Sequence, residues 1–267
     1  MNPTHPLAGA ADQAAGLRRQ FAGTTQQFIP LVANPHVAFS SVVLERITTC
    51  LAQAGIPTLL VDAADSSPPT ADMALLDLAA CIERCDEKTY YLAARGLPRA
   101  HMDTRGSASR LLHALSAAAP QAAVVLVHGE ADELARVFVH GDVRPVLIAA
   151  DATEAVKHAY AACKLLSSRA VFRSFDVLLC AAENNRHASA ITTALSKCAQ
   201  RYFQAQLMHW ALIDPACNVG EAPSSDLRQL LAQQMQMGDA SALFAPASQA
   251  LGKAARSAVA PSWNPRF

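Results

Sequence analysis

The chain has 267 residues, 52% of them hydrophobic, which suits one α/β domain with a full core plus tails. Lysine plus arginine and aspartate plus glutamate both number 22, and no basic stripe stands out, which argues against a nucleic-acid binder. No apolar run approaches the ~18 residues of a spanning helix, no signal-peptide core opens the chain, and the seven dispersed cysteines predict reduced thiols and a cytoplasmic protein.

Residues 1–27 precede the first strand. Their notable piece is Asp12-Gln13-Ala14-Ala15-Gly16-Leu17-Arg18-Arg19. Asp12 can cap a short helix, because its carboxylate accepts from the first free N–H groups. Leu17 and Phe21 then share one face. An apolar run from Phe28 to Ala33 predicts a strand. The loop Asn34-Pro35-His36-Val37-Ala38-Phe39-Ser40-Ser41 follows. Val42 to Ala54 carries helical spacing, with Val43, Ile47, Cys50 and Leu51 on one side. Gly55 ends that helix, and Ile56 to Val61 is a short buried-type strand closed by Asp62. A β-α-β opening of this kind normally carries a glycine-rich phosphate loop after its first strand. Here that loop has no glycine and no lysine.

Beyond Asp62, Ser and Pro content predicts a loop to Thr70. Thr70 to Arg84 has the pattern of an amphipathic helix, with Ala74, Leu75, Leu78 and Ile82 inward. Cys81 and Cys85 are four apart on it, but no second ligand pair follows for zinc. Thr89 to Leu92 reads as a short strand, Gly96 to Gly106 as a polar loop, and Ser107 to Ala118 as a helix. Ala122 to Val127 is a continuous apolar run, as a central parallel strand requires. It leads into His128-Gly129-Glu130-Ala131-Asp132, read as a loop whose His128, Glu130 and Asp132 have a spacing that can ligate a metal. Strands follow over 144–150, 175–181 and 205–213, with helices over 151–166, 186–203 and 224–237. The tail, 238–267, is rich in Ala, Ser and Pro, is expected to be disordered, and has too weak an amphipathic pattern for membrane attachment. Strands alternating with helices over 28–237 predict a doubly wound, mostly parallel α/β sheet with helices on both faces.

Several of these segments resemble the MinD-like ATPases, P-loop NTPases with a deviant phosphate loop. The family pattern is a strand, GKGGVGKTT, a helix ending ALAxxG, and a strand ending VLLVDAD. The flanks match in Leu51-Ala52-Gln53-Ala54-Gly55 and Leu59-Leu60-Val61-Asp62-Ala63. Between them, the family's first glycine falls on Pro35 and its first lysine on His36. The inner glycines fall on Val37, Ala38 and Ser40, the second lysine on Ser41, and the threonines on Val42 and Val43; Phe39 adds bulk. Asp62 keeps the aspartate after the second strand. His128 stands where the family has its Walker B carboxylate, so 128–132 also reads as a degenerate Walker B segment. Thr153, Ala159, Tyr160, Ala161 and Lys164-Leu165-Leu166 match a further family segment. Relatives recognise adenine through an asparagine near the end of the next strand; Asn184 and Asn185 lie a little downstream of that place.

The N-terminal piece resembles the DQAxGLR motif of the flagellar, FlhG (FleN) branch of that family. Asp12, Gln13, Ala14, Gly16, Leu17 and Arg18 match it. In that branch the motif engages the SRP-type GTPase FlhF and stimulates its hydrolysis. The resemblance therefore implies a pseudo-ATPase with no nucleotide cofactor, acting on an FlhF-type GTPase, with an intact FlhG or a flagellar regulator as a further candidate partner. Two alternatives stand beside it: an ATP- and magnesium-binding ATPase with a rebuilt loop, and a nucleotide-free scaffold for another cargo. Hydrogen bonds to charged groups are each worth roughly 1.5–3 kcal/mol, so losing about three costs on the order of 5–9 kcal/mol, roughly a thousand- to million-fold in affinity.

Overall fold

The computed structural model describes residues 26–139, 143–169, 172–218 and 221–235. Eight strands form one sheet: β1 (Gln27–Val32), β2 (Thr58–Asp62), β3 (Glu83–Arg84), β4 (Thr89–Ala93), β5 (Val124–Gly129), β6 (Val146–Ala150), β7 (Ser174–Cys180) and β8 (Gln206–Ile213). Their spatial order is β3-β4-β2-β5-β1-β6-β7-β8. Every neighbouring pair is parallel except the short β3–β4 hairpin. Central strands read as continuous apolar runs because both faces are covered: β5 and β6 are buried along their whole length.

Two apolar layers hold the helices to the sheet. On one face lie α1 (Ser40–Gln53) and the last helix among the described residues, α7 (Ser225–Gln234). Val43, Ile47 and Leu51 of α1 and Leu227, Leu230 and Leu231 of α7 pack there against Ile29, Leu31, Leu126 and Leu178. On the other face lie α3 (Arg110–Ala118), α4 (Ala131–Val137), α5 (Thr153–Arg169) and α6 (Ala188–Phe203). Leu111, Leu115, Leu134, Ala159, Leu166 and Ala199 pack there against Val61, Val127, Leu147 and Val177. Each fully buried Val, Leu or Ile side chain among them contributes about 1.5–3 kcal/mol relative to exposure. Helices on both faces of a mostly parallel sheet make the fold doubly wound α/β, as the alternating pattern predicts.

The structure corrects three local expectations. Thr70 to Arg84 is not a helix. It forms two 3-10 turns, Asp72–Leu75 and Ala79–Cys81, and then β3. Of the expected inward set, Ala74 and Leu78 are buried in the core and Ile82 packs half-buried against it, while Leu75 is exposed. Local acceptors compete with a helical ladder there: Asp77 accepts from the Ala80 N–H, and Asp86 from those of Lys88 and Thr89, which closes the β3–β4 hairpin. The expected loop Gly96 to Gly106 contains a one-turn helix, α2 (Leu97–Ala100), started by Gly96 at φ 84°. The expected loop after His128 is instead the end of β5 followed directly by α4. Glu133 of α4 is buried and paired with Arg99 of α2 at 2.7 Å, so a polar residue in the sequence marks a buried contact. The N-terminal segment and the tail from 236 on lie outside the described residues.

Candidate functional site

In a doubly wound sheet the ends of the strands that lead into helices converge on one edge. Four sequence-identified elements meet there: the loop after β1, Asp62 at the end of β2, His128 near the end of β5, and the start of α5.

The loop is anchored by Asn34. Its side chain is buried and its Nδ2 donates to the carbonyls of Ile148 and Ala155, both at 2.9 Å. Its Oδ1 accepts from the His36 N–H at 3.1 Å, and its own carbonyl accepts from the Val37 N–H at 3.1 Å. Pro35 has no N–H to offer. The first three backbone positions after Asn34 therefore present no free donor. Val37 turns inward into the α1-side core, while His36 and Ala38 are exposed. Cys180 Sγ lies 3.9 Å from the Ala38 carbonyl. Phe39 sits at φ 61°, ψ 35°, and is 68% exposed. That left-handed backbone is costly for a bulky residue; it is what turns the chain into α1 in a loop without glycine. No side chain caps α1. Ser40 and Ser41 open the helix and Val42 follows, so the loop ends at Phe39, two residues earlier than the helical spacing suggests.

Asp62 and His128 are neighbours across β2 and β5 in register. Two residues before them, Leu60 and Leu126 pack on the α1 side, and strand alternation puts both side chains on that side too. His128 Nδ1 lies 2.7 Å from Asp62 Oδ1. An ionised carboxylate only accepts, so Nδ1 carries the proton. His128 is 2% exposed, and its Nε2 is buried without a partner. Burial pushes the Asp62 carboxyl up, but hydrogen bonding to and the charge of His128 outweigh it and hold the group below its ordinary value. Tyr91 Oη lies 3.5 Å from Asp62 Oδ2. Burial and that carboxylate push the phenol up to about 12.

Other sequence candidates are dispersed. His128 is separated from Glu130 and Asp132, which line a cleft of about 290 Å³ with Asp65, Arg99 and His158. Among the described residues no three His, Cys, Asp or Glu side chains are placed to hold a metal ion. Asn185 donates to Asp151 at 2.7 Å and accepts from the His187 N–H, and Asn184 is exposed. Asp12, Gln13, Gly16, Leu17 and Arg18 lie outside the described residues. A cavity of about 420 Å³ between β8, α6 and α7 was not foreseen. Arg46 on α1 lines it and donates to the carbonyls of Asn218 and Glu221. A buried arginine within an apolar helix pattern was the one signal for it.

No protein-family model matches the chain, and no curated protein sequence matches it. Solved structures do. McdA of Cyanothece in its apo form superposes with a TM-score of 0.50 at 12% identity, over 85% of this chain and 99% of that one. The fold is that of the MinD/ParA P-loop NTPases. A chain of the MinC:MinD cell division protein complex of Aquifex aeolicus matches over 89% of this chain and 99% of its own, at 10% identity and TM-score 0.49. MinD of Pyrococcus horikoshii, complexed with Mg-ADP, covers 87% of this chain and 98% of its own, at 14% and 0.46. Among the described residues no helix is long and apolar enough to cross a membrane.

Proposed function

We propose that this MinD/ParA-fold protein is a nucleotide-independent, FlhG-like regulator of flagellar placement or number that works by contacting an SRP-type GTPase of the FlhF class. The observation that carries nucleotide independence is the state of the loop after β1. Pro35 has no donor, the His36 and Val37 N–H groups are engaged by Asn34, and no lysine is present to neutralise phosphate. Such loops work by pointing several free N–H groups at one anion. Beside it, the Asp62 carboxylate already accepts from His128, so binding magnesium there requires breaking that hydrogen bond and placing a dication against a buried imidazole.

The partner is supported by Asp12-Gln13-Ala14-Ala15-Gly16-Leu17-Arg18. In this reading Gln13 orients a water in the partner's active site, as glutamine does in GTPases. Leu17 and Phe21 supply apolar contact, and Arg18 meets a carboxylate or phosphate. The α/β domain serves as the anchor that holds the segment near its target. GTP turnover by the cognate FlhF-type GTPase tests this. Full-length protein and a peptide of residues 1–24 are both expected to raise turnover without ATP. A full-length protein that neither binds that GTPase nor changes its turnover contradicts the reading.

A further inference from the structure

The last strand, β8, closes one end of the sheet, and among the described residues no strand pairs with its outer side. Long free edges are normally blunted by lysine, proline or a covering segment, because their main-chain groups template pairing with another chain. β8 is eight residues long and reads Gln-Leu-Met-His-Trp-Ala-Leu-Ile. It carries no lysine and no proline. Its single irregularity, a register shift at Phe175/Asp176 of β7, lies near its start and leaves His209–Ile213 regular. Met208 and Trp210 are 47% and 39% exposed on it.

The free main-chain groups can be assigned. The Ile213 carbonyl accepts from Ala181, and the His209 N–H donates to Asp176 Oδ1, so both residues point at β7. Main-chain direction alternates along a strand. The N–H and C=O groups of Trp210 and Leu212 therefore point outward.

Charge on the two ends of this edge is opposite in sign. Helix α6 runs back along β8 to the end where β8 begins, and it carries Lys197 and Arg201 with no acid. Lys197 lines a cleft of about 330 Å³ with Met208 and Trp210. At the other end Glu183, Asp214, Glu221 and Asp226 line the 420 Å³ cavity that also reaches Trp210. Arg186 and Arg46 line it too, the latter donating to main-chain carbonyls, so carboxylates are in excess.

We infer that β8 is a self-association edge, and that two copies of this chain pair through it antiparallel about a two-fold axis beside Trp210. An isologous contact brings each surface patch onto its own symmetry mate. An axis at Trp210 makes this residue pair with Trp210 of the partner subunit, each exchanging N–H and C=O. It sets Met208 opposite Leu212 of the partner subunit. It also sets the basic end of each edge against the partner's end with excess carboxylates. The topology disfavours the segment after Met235 as a parallel ninth strand. The steps from β6 to β7 to β8 cross on the α5–α6 face, whereas α7 lies on the opposite face, so a parallel strand added outside β8 would need the rare left-handed crossover. The inference is independent of the functional reading above.

Sedimentation velocity of the full-length protein across a concentration series, with and without ATP, tests it. A reversible dimer is expected, unaffected by ATP. Trp210→Lys places two ammonium groups at the axis and is expected to weaken the dimer by about tenfold or more, with an unchanged thermal melt. Lys197→Glu, on an exposed helix face, is expected to weaken it by about fivefold and keeps the test open if Trp210→Lys fails to fold. A monomer at every concentration overturns the inference. So does a dimer indifferent to both substitutions, or one that forms only with ATP. A monomer whose Trp210 and Leu212 amides resist hydrogen exchange overturns it in favour of residues 236–267 covering the edge.

Discussion

Asn34 shows how one residue can stabilise a loop that has no glycine. Three hydrogen bonds join it to β6, α5 and its own loop. Asn34→Ala leaves two buried carbonyls and one N–H without their partner. The expected cost is about 2–4 kcal/mol, at roughly 1 kcal/mol per bond plus desolvation, read as a lower urea midpoint at unchanged slope. Asp62 gives a pH signature. Its folded carboxyl is held below the ordinary value of 3.8, so the unfolded chain takes up that proton first as pH falls. The associated stability is fully present above about 3.8 and is lost as pH drops through the folded value. Asp62→Asn is expected to flatten the acid limb of stability against pH, and an unchanged limb would remove Asp62 from the account. His128→Asp restores the family's carboxylate but sets two carboxylates side by side. It is expected to destabilise the fold near neutral pH and to be partly relieved by acid; a variant as stable as the parent at neutral pH would count against the His128–Asp62 pairing.

At the scale of elements, the sequence was legible wherever periodicity and burial agree. The strands β1, β2, β5 and β6 are mainly apolar runs, β7 is one from Val177 on after its buried Asp176, and α1, α3, α5 and α6 follow helical spacing to within a few residues. The pattern misled at Thr70 to Arg84, where three of four apolar residues at helical spacing do reach the core but from two 3-10 turns and a short strand, and side-chain carboxylates capture backbone N–H groups instead. Helix α4 stayed hidden because its buried Glu133 breaks the apolar stripe and pairs through Oε1 with Arg99, a partner 34 positions earlier in sequence. At the candidate site, missing lysines and glycines were readable. The 2.7 Å His128–Asp62 contact was not, since strand register across β2 and β5 is a tertiary fact. For the N-terminal segment, the functional reading separates two roles. Gln13→Ala is expected to lose stimulation of the partner GTPase while retaining binding, and Leu17→Ala to weaken binding itself. Equal loss of both by either variant would contradict a water-orienting Gln13.

For the whole molecule, two described regions bear on function and assembly, the strand-end edge with the loop after β1 and the β8 edge. With Pro35, His36 and Val37 closed to phosphate and Asp62 engaged by His128, the protein is expected neither to dimerise on ATP addition nor to pellet with anionic liposomes in an ATP-dependent way. ATP-dependent pelleting would indicate a rebuilt, working nucleotide loop. The most direct measurement is isothermal titration of Mg-ATP into the full-length protein. Nucleotide independence predicts no saturable heat at physiological concentrations, and a micromolar dissociation constant would contradict it.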